Sequence, residues 1–464
     1  MGIFNNEIII NEENPFENDK LNREIEANNL TNLFNLVDNQ MVLAIDSPWG
    51  TGKSSFLKMW NQKLINEGYD TVFFNAWEND FVEDAFIAFV EEIKEGLSDR
   101  PVDNLVENAK LLGELMFKNS PKILAKFIEK KIGVNVDDII SMDDVSNLIG
   151  DKIDEYKNTK DSIKKFKSEL ENIAQETVNV TGKPIIIFVD ELDRCRPDFA
   201  IRLLERVKHL FSVKNIIFVL GIDKQALSNS VKVVYGEETQ VNGYLARFID
   251  MEYKLNDISS KQYVPYLLEK LKINEIFNKR QQFSSNILQT EYSYRDFLNV
   301  VENLFEGFKL SLRESEKVIS EIYFILKSNE SKCIYPYPLV LLCIIKRVDK
   351  ETYNKIKDKQ IKFKELVSKL SIKFNWFESW LEEFDISIFK ANFLWLLDDK
   401  DEIEELKSIA SSIDRGSLNK SSVNRCIELY EWINSGKAYS IWYDEEHVRN
   451  LLFKRVDFYE TLSI

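Results

Sequence analysis

The chain has 464 residues, 44% hydrophobic and 30% charged, with eight Trp and 31 Phe; this composition builds packed cores and excludes a disordered or low-complexity protein. At about 150 residues per domain, roughly three domains are expected. The formal net charge of −16 at pH 7 repels a phosphate backbone, so nucleic-acid binding is not indicated.

In chain order, Leu30, Leu33, Phe34 and Val37 share one helix face, followed by a short apolar strand at 41–45. A glycine loop occupies 47–55 (Ser-Pro-Trp-Gly-Thr-Gly-Lys-Ser-Ser), and a second helix carries Leu57, Trp60 and Leu64. A strand is expected at 71–75, and a helix through Phe86, Phe89, Val90, Ile93 and Leu97. Residues 98–182 are Lys/Glu-rich and read as an α-helical insertion, with helical segments at 122–132 and 162–175. The strongest strand is 184–190, followed by a helix at 198–211, a strand at 215–221 and a fifth strand at 248–253. Strands alternating with amphipathic helices predict an α/β fold with a parallel sheet covered on both faces. Beyond Asp257 the alternation stops and the chain reads as helical. The expected organisation is an α/β core at 1–257 containing the insertion, a helical lid at 258–350 and a helical C-terminal region at 351–464.

Other classes find little support. Cys195, Cys333, Cys343 and Cys426 form no C-x-x-C pair, so ordinary packed thiols in a reduced, cytoplasmic setting are expected. His209 and His447 read as surface residues and leave little for a histidine metal cluster or a Ser-His-Asp triad. The start, MGIFNNEIII, lacks the basic stretch of a signal peptide, and Asn6 breaks the myristoylation pattern. Pro338–Ile345 is the nearest approach to the ~20 apolar residues of a transmembrane span. The acidic group Asp399, Asp401, Glu402 and Glu404 reads as a solvated helix face better than as a nuclease metal site.

The loop at 47–55 fits G-x-x-x-x-G-K-[ST] everywhere except its first position, where Ser47 replaces Gly. Gly50 and Gly52 allow backbone N–H groups to curl around phosphates. Lys53 supplies charge to the β- and γ-phosphates, and Ser54 a hydroxyl ligand to Mg²⁺. The helix that follows points its N-terminal dipole at the anion. Pro48, Trp49, Gly50, Thr51, Gly52, Lys53, Ser54 and Ser55 are the expected nucleotide-binding residues. Downstream, the strand 185–190 ends in Asp190 and Glu191: Asp190 is placed to bind Mg²⁺, and Glu191 to deprotonate the attacking water. The adjacent Glu marks the additional-strand type of P-loop protein. No N-K-x-D motif follows the acidic strand, which prefers ATP over GTP. Asp223 reads either as a phosphate sensor or as the N-cap of the next helix.

These residues resemble the KAP family of P-loop NTPases. The resemblance rests on Ala44–Ser55, Phe74-Asn-Ala-Trp77, Val189–Cys195, Phe218–Asp223 and Tyr244–Phe248, and covers roughly residues 15–320. It implies a five-stranded core of order 5-1-4-3-2 and ATP hydrolysis coupled to conformational change or assembly, with protein partners or a homo-oligomer. Many members carry transmembrane helices where this chain has a polar helical insertion, and bacterial members often act in defence against phages and plasmids. By the same resemblance Arg313 becomes a sensor arginine of the lid, and Arg247 an arginine finger acting on a neighbouring subunit. Asp193 and Arg194 are expected to pair with each other or to orient the site. Trp49 and Trp77 are expected to pack the core around the loop. Trp376, Trp380 and Trp395 are candidates for an interface or for core. The competing readings are a non-hydrolysing ATP-dependent regulator or scaffold, and a small-molecule kinase.

Overall fold

Five apolar segments form one all-parallel sheet: β1 Gln40–Asp46, β2 Thr71–Asn75, β3 Ile185–Asp190, β4 Ile216–Ile222 and β5 Met251–Lys254. A computed structural model describes residues 9–34, 36, 40–82, 85–100, 102, 142–208, 210, 212–256, 259–281, 293–328, 336–377, 387–412, 418–434 and 452–457. The strand order is β2-β3-β4-β1-β5, the expected order read from the opposite edge. The chain divides into two compact units, Asn6–Asp257 and a second built mainly of Ile258–Ile464.

In the first unit the period of two decides which residue meets which layer. Met41, Leu43 and Ile45 of β1, with Ile186, Phe188, Ile217 and Val219, pack against α1 (Arg23–Phe34) and α2 (Lys53–Asn66). Val42 and Ala44, with Ile185, Ile187, Val189, Phe218 and Leu220, form the opposite core. That core includes α3 (Ala85–Gly96), α4 (Met142–Thr181), α5 (Pro197–Val207) and α6 (Lys224–Tyr235). Central β3 and β4 are buried along their whole length, whereas edge strand β5 is largely exposed. Trp60 anchors α2, enclosed by Phe34, Phe56 and Phe188, with its indole N–H donating to Thr31 at 2.9 Å.

Three boundaries differ from expectation. The first helix begins at Arg23, well before Leu30, because its buried face includes the pair Arg23–Glu26, which an apolar count passes over. The helix expected to reach Phe211 ends at Val207, where the Leu210 N–H turns back to the Val207 carbonyl. The fifth strand starts at Met251, not Phe248, because residues 244–248 form a turn that buries Phe248. The expected segment 122–132 lies outside the described residues, while 162–175 falls within α4.

The second unit is helical throughout its described residues. It includes α8 (Ser260–Lys270), after the short α7 (Val241–Leu245) of the first unit, then α9 (Ile273–Gln281), α10 (Tyr294–Gly307) and α11 (Leu312–Lys327). Ser311 and Glu314 form a capping box that starts α11. Trp395 is fully buried, and Trp376 packs edge-on against Phe308; Trp380 lies outside the described residues. Asp399 and Glu402 are buried, against the expectation of a wholly solvated face. The reason is local pairing: Asp399 accepts the Phe363 N–H at 2.8 Å, and Lys390 meets Glu402 at 2.9 Å.

Candidate nucleotide site

Parallel register brings the chemistry to one edge of the sheet. Asn75 pairs with Asp190, Asp190 with Gly221, and Asp46 with Ile222, so β1, β3 and β4 all end at the same level. In open parallel α/β sheets that carboxyl edge is where ligands bind.

From β1 the chain turns through 47–52 into α2. Gly50 and Gly52 have φ of 82° and 83°, a region that a Cβ makes costly. Ser47, the departure from the sequence pattern, is buried. Its N–H donates to the Ile222 carbonyl at 3.1 Å, and its hydroxyl lies 2.6 Å from that of Thr51. A small polar side chain therefore closes the loop on itself and replaces the missing glycine. Helix α2 has no side-chain cap at Gly52, leaving its first N–H groups open to an anion.

Lys53 is 7% exposed and its Nζ donates to the Ser47 carbonyl at 3.0 Å, with Asp193 Oδ1 at 3.8 Å. Burial pushes the ammonium below its ordinary pKa, while Asp193, Asp190, Asp223 and Asp46 draw it back up. Ser54 Oγ donates to Glu191 Oε1 at 3.2 Å and also lies against Asp190. Asp190 is 1% exposed; its Oδ1 accepts the Glu191 N–H at 2.8 Å, and its Oδ2 accepts no hydrogen bond. Burial raises its pKa to about 6, opposed by the Ser54 hydrogen bond.

A buried carboxylate oxygen without a donor normally calls for a partner. An oxygen of Asp190 beside a serine hydroxyl is the hard-oxygen donor set that suits Mg²⁺, which keeps several waters and takes few protein ligands. The residues present fit the ion. Among the described residues no group of three or more His, Cys, Asp or Glu could hold a metal by themselves.

The remaining expected residues divide. Asp223 takes the second of the two roles foreseen for it, the N-cap: Oδ1 caps α6 through the Gln225 and Ala226 N–H groups at 3.1 Å each, while Oδ2 accepts the Trp49 N–H at 3.2 Å. Arg247 is exposed and lies beside Tyr235, which twelve residues of α6 carry about 18 Å from Asp223. It is not brought to Lys53. Arg313 is exposed in the first turn of α11 and belongs to the second unit.

One expectation is corrected. Trp49 and Trp77 do not pack the core: they are 51% and 53% exposed. Trp49 rides on a loop above the sheet edge and its indole N–H needs an acceptor, which Asp193 Oδ2 provides. Of the two alternatives for Asp193 and Arg194, the contacts match orientation of the site and not mutual pairing. The short 3₁₀ turn Leu192–Arg194 directs Asp193 inward to Lys53 and Trp49, and Arg194 back to Glu191 at 2.8 Å. The spacing of Asp193 and Arg194 from Asp190 was the available signal, but their direction depends on Glu191 adopting φ 60°. Gly221 was missed. A Cβ there would lie 2.3 Å from Leu57 Cδ1 and 2.6 Å from Asp190 Oδ1, so the position needs glycine for space.

The P-loop, the acidic strand end and the order of the sheet agree with a match over residues 23–329 to the KAP family P-loop domain. The chain belongs to the KAP family of P-loop NTPases. In this KAP protein no helix among the described residues is long and apolar enough to cross a bilayer. No curated protein matches the chain significantly. Solved structures similar to it include the ORC2 protein of Aeropyrum pernix in its ADP form, with 10% identity, 98% of this chain and 97% of that chain covered, and TM-score 0.35. The same protein in ADPNP-ADP complexes aligns with 12% identity, 90% and 94% coverage and TM-score 0.32. C. elegans PCH-2 aligns with 11% identity, 65% and 60% coverage and TM-score 0.27. At these scores the likeness has no bearing on the chemistry.

Proposed function

We propose that this KAP protein binds Mg-ATP and hydrolyses it, coupling turnover to a change of conformation or assembly. The observation that carries the reading is the convergence of Lys53, Ser54, Asp190 and Glu191 at one sheet edge, with Asp190 Oδ2 buried and unpartnered.

The backbone N–H groups of Gly50–Ser55 and the ammonium of Lys53 hold the phosphate oxygens, with Pro48 and Trp49 shaping the start of the loop. Ser54 and Asp190 hold Mg²⁺, which when bound neutralises phosphate charge. Glu191 takes a proton from water as the water oxygen bonds to the γ-phosphorus. The bond from that phosphorus to the β-phosphate oxygen breaks, and ADP and inorganic phosphate leave. Asp223 steadies the loop through the Trp49 amide. Arg247, exposed and remote from its own loop, is suited to act on nucleotide in a neighbouring copy. ATP is the favoured base because no N-K-x-D segment follows β3. Defence against phages and plasmids, in the cytoplasm, is the biological setting that resemblance to bacterial members of the family supports.

Phosphate release from Mg-ATP, compared between the native chain and Glu191→Gln, tests the reading. Native release with none from the variant supports hydrolysis; equal rates in both overturn the assignment of Glu191.

A further inference from the structure

Glu191 is not free in this structure. Its Oε1 accepts two donors, Ser54 Oγ at 3.2 Å and Arg194 Nη1 at 2.8 Å. The second contact is built by the backbone. Glu191 holds a left-handed φ of 60°, a conformation unfavourable for a residue with a Cβ. The 3₁₀ turn that follows closes with the Arg194 N–H on the Glu191 carbonyl at 3.1 Å. That geometry returns the Arg194 side chain to the carboxylate three residues before it.

The same turn is stapled to the loop after β2. Arg196 Nε donates to Asp80 Oδ1 at 2.8 Å, and the Arg196 N–H to Asp80 Oδ2 at 2.9 Å. That loop also carries Trp77, whose ring centroid lies 5.9 Å from the Arg194 guanidinium carbon, within cation–π range. Arg194 is thus held between a carboxylate and an indole whose surface is half exposed.

We propose that Arg194 is a positioning residue that parks Glu191, keeping the resting enzyme slow until Arg194 is drawn away. The inference rests on the reading of Glu191 as the base that takes a proton from water. A base must be aimed at the water it deprotonates, and here the arginine and the serine together fix the direction of the carboxylate through Oε1. Ser54 leaves Glu191 when it turns to Mg²⁺; Arg194 has no such call on it from the nucleotide. Trp77 gives the restraint a handle at the surface, because whatever covers the indole also bears on the guanidinium stacked against it.

The test is steady-state hydrolysis by the full chain, with kcat and KM read separately. Arg194→Ala raises kcat about five-fold or more and leaves KM within about two-fold, as expected for a residue that acts through Glu191 and not on ATP. Arg194→Lys keeps a cation in reach and returns most of the restraint, and Trp77→Ala gives a smaller rise in kcat. In an Glu191→Gln background Arg194→Ala changes nothing. If the alanine variant fails to bind a fluorescent ATP analogue, Arg194→Gln, which preserves side-chain length, is read in its place. An unchanged or lowered kcat, with Glu191→Gln inactive, overturns the parking role while leaving the hydrolytic reading intact. Full activity of Glu191→Gln overturns the hydrolytic reading itself.

Discussion

The indole N–H of Trp49 donates to Asp193 Oδ2, tying the loop after β1 to the turn after β3. The other oxygen of the same carboxylate faces the Lys53 ammonium at 3.8 Å. Because the backbone N–H of Trp49 also donates to Asp223, the P-loop is held from outside by two carboxylates before any phosphate arrives. Phosphate oxygens compete with Asp193 for Lys53, so filling the loop changes the surroundings of Trp49.

Titration with Mg-ATP is therefore expected to shift tryptophan emission in the native chain. Trp49→Phe should lose that change and, by leaving an oxygen of the buried Asp193 carboxylate without its donor, cost roughly 1–3 kcal/mol of stability. The same emission change in Trp49→Phe would contradict the link.

Gly221→Ala should be damaging, because the position has no room for a side chain. Its Cβ would lie 2.3 Å from Leu57 Cδ1 and 2.6 Å from Asp190 Oδ1, and overpacking of this kind costs roughly 1–3 kcal/mol. Chemical denaturation should show a lowered midpoint, and Mg-dependent ATP binding should weaken because Asp190 must move. A midpoint and affinity equal to native would show that the neighbours yield freely.

Much of this site was legible because β-branched runs, glycine spacing and terminal carboxylates are local signals. Met41–Ile45 and Ile185–Asp190 announce strands by composition, and Gly50, Gly52 and Lys53 announce the loop between β1 and α2. What stayed hidden depends on direction and on distant pairing. Nothing local says that Glu191 takes a positive φ, so Asp193 and Arg194 could not be sent to different partners. The start of α1 was missed because Arg23 and Glu26 are buried as a pair, against residues more than two hundred positions away. Trp49 and Trp77 were placed in the core because bulk argues for burial, whereas their loops lie above the sheet edge.

The pKa of Asp190 gives a pH signature. Its folded value is raised from 3.8 to about 6 by burial. Between those values the folded protein holds the proton and the unfolded chain does not, so this group's contribution to stability falls as pH rises through the window. Asp190→Asn should therefore stabilise the nucleotide-free protein at neutral pH, by roughly 1–3 kcal/mol, while abolishing Mg-dependent ATP binding. Native binding of Mg-ATP should weaken as pH falls through about 6. Thermal melts in chelator and binding titrations across that range check both; a destabilised Asn variant would contradict the burial argument.

Glu26 should be a structural residue of high cost. It accepts Arg23 at 2.5 Å, the Tyr253 hydroxyl at 3.0 Å and the Asn256 N–H at 3.1 Å; Arg23 and Glu26 are both buried, while Tyr253 is half-buried and Asn256 exposed. Glu26→Ala leaves the Arg23 charge buried without its partner, which costs about 3–5 kcal/mol. Denaturant unfolding should show a loss of that order, and a loss under about 1 kcal/mol would mean that water reaches Arg23.

The central claim is that Lys53, Ser54, Asp190 and Glu191 form one hydrolytic site. Its most direct test is phosphate release from Mg-ATP by the native chain, Lys53→Ala and Glu191→Gln, with nucleotide binding measured on the same samples. Lys53→Ala should lose binding and release together. Glu191→Gln should bind ATP normally and release phosphate about a hundred-fold or more slowly. Equal release by native and Glu191→Gln protein would contradict it.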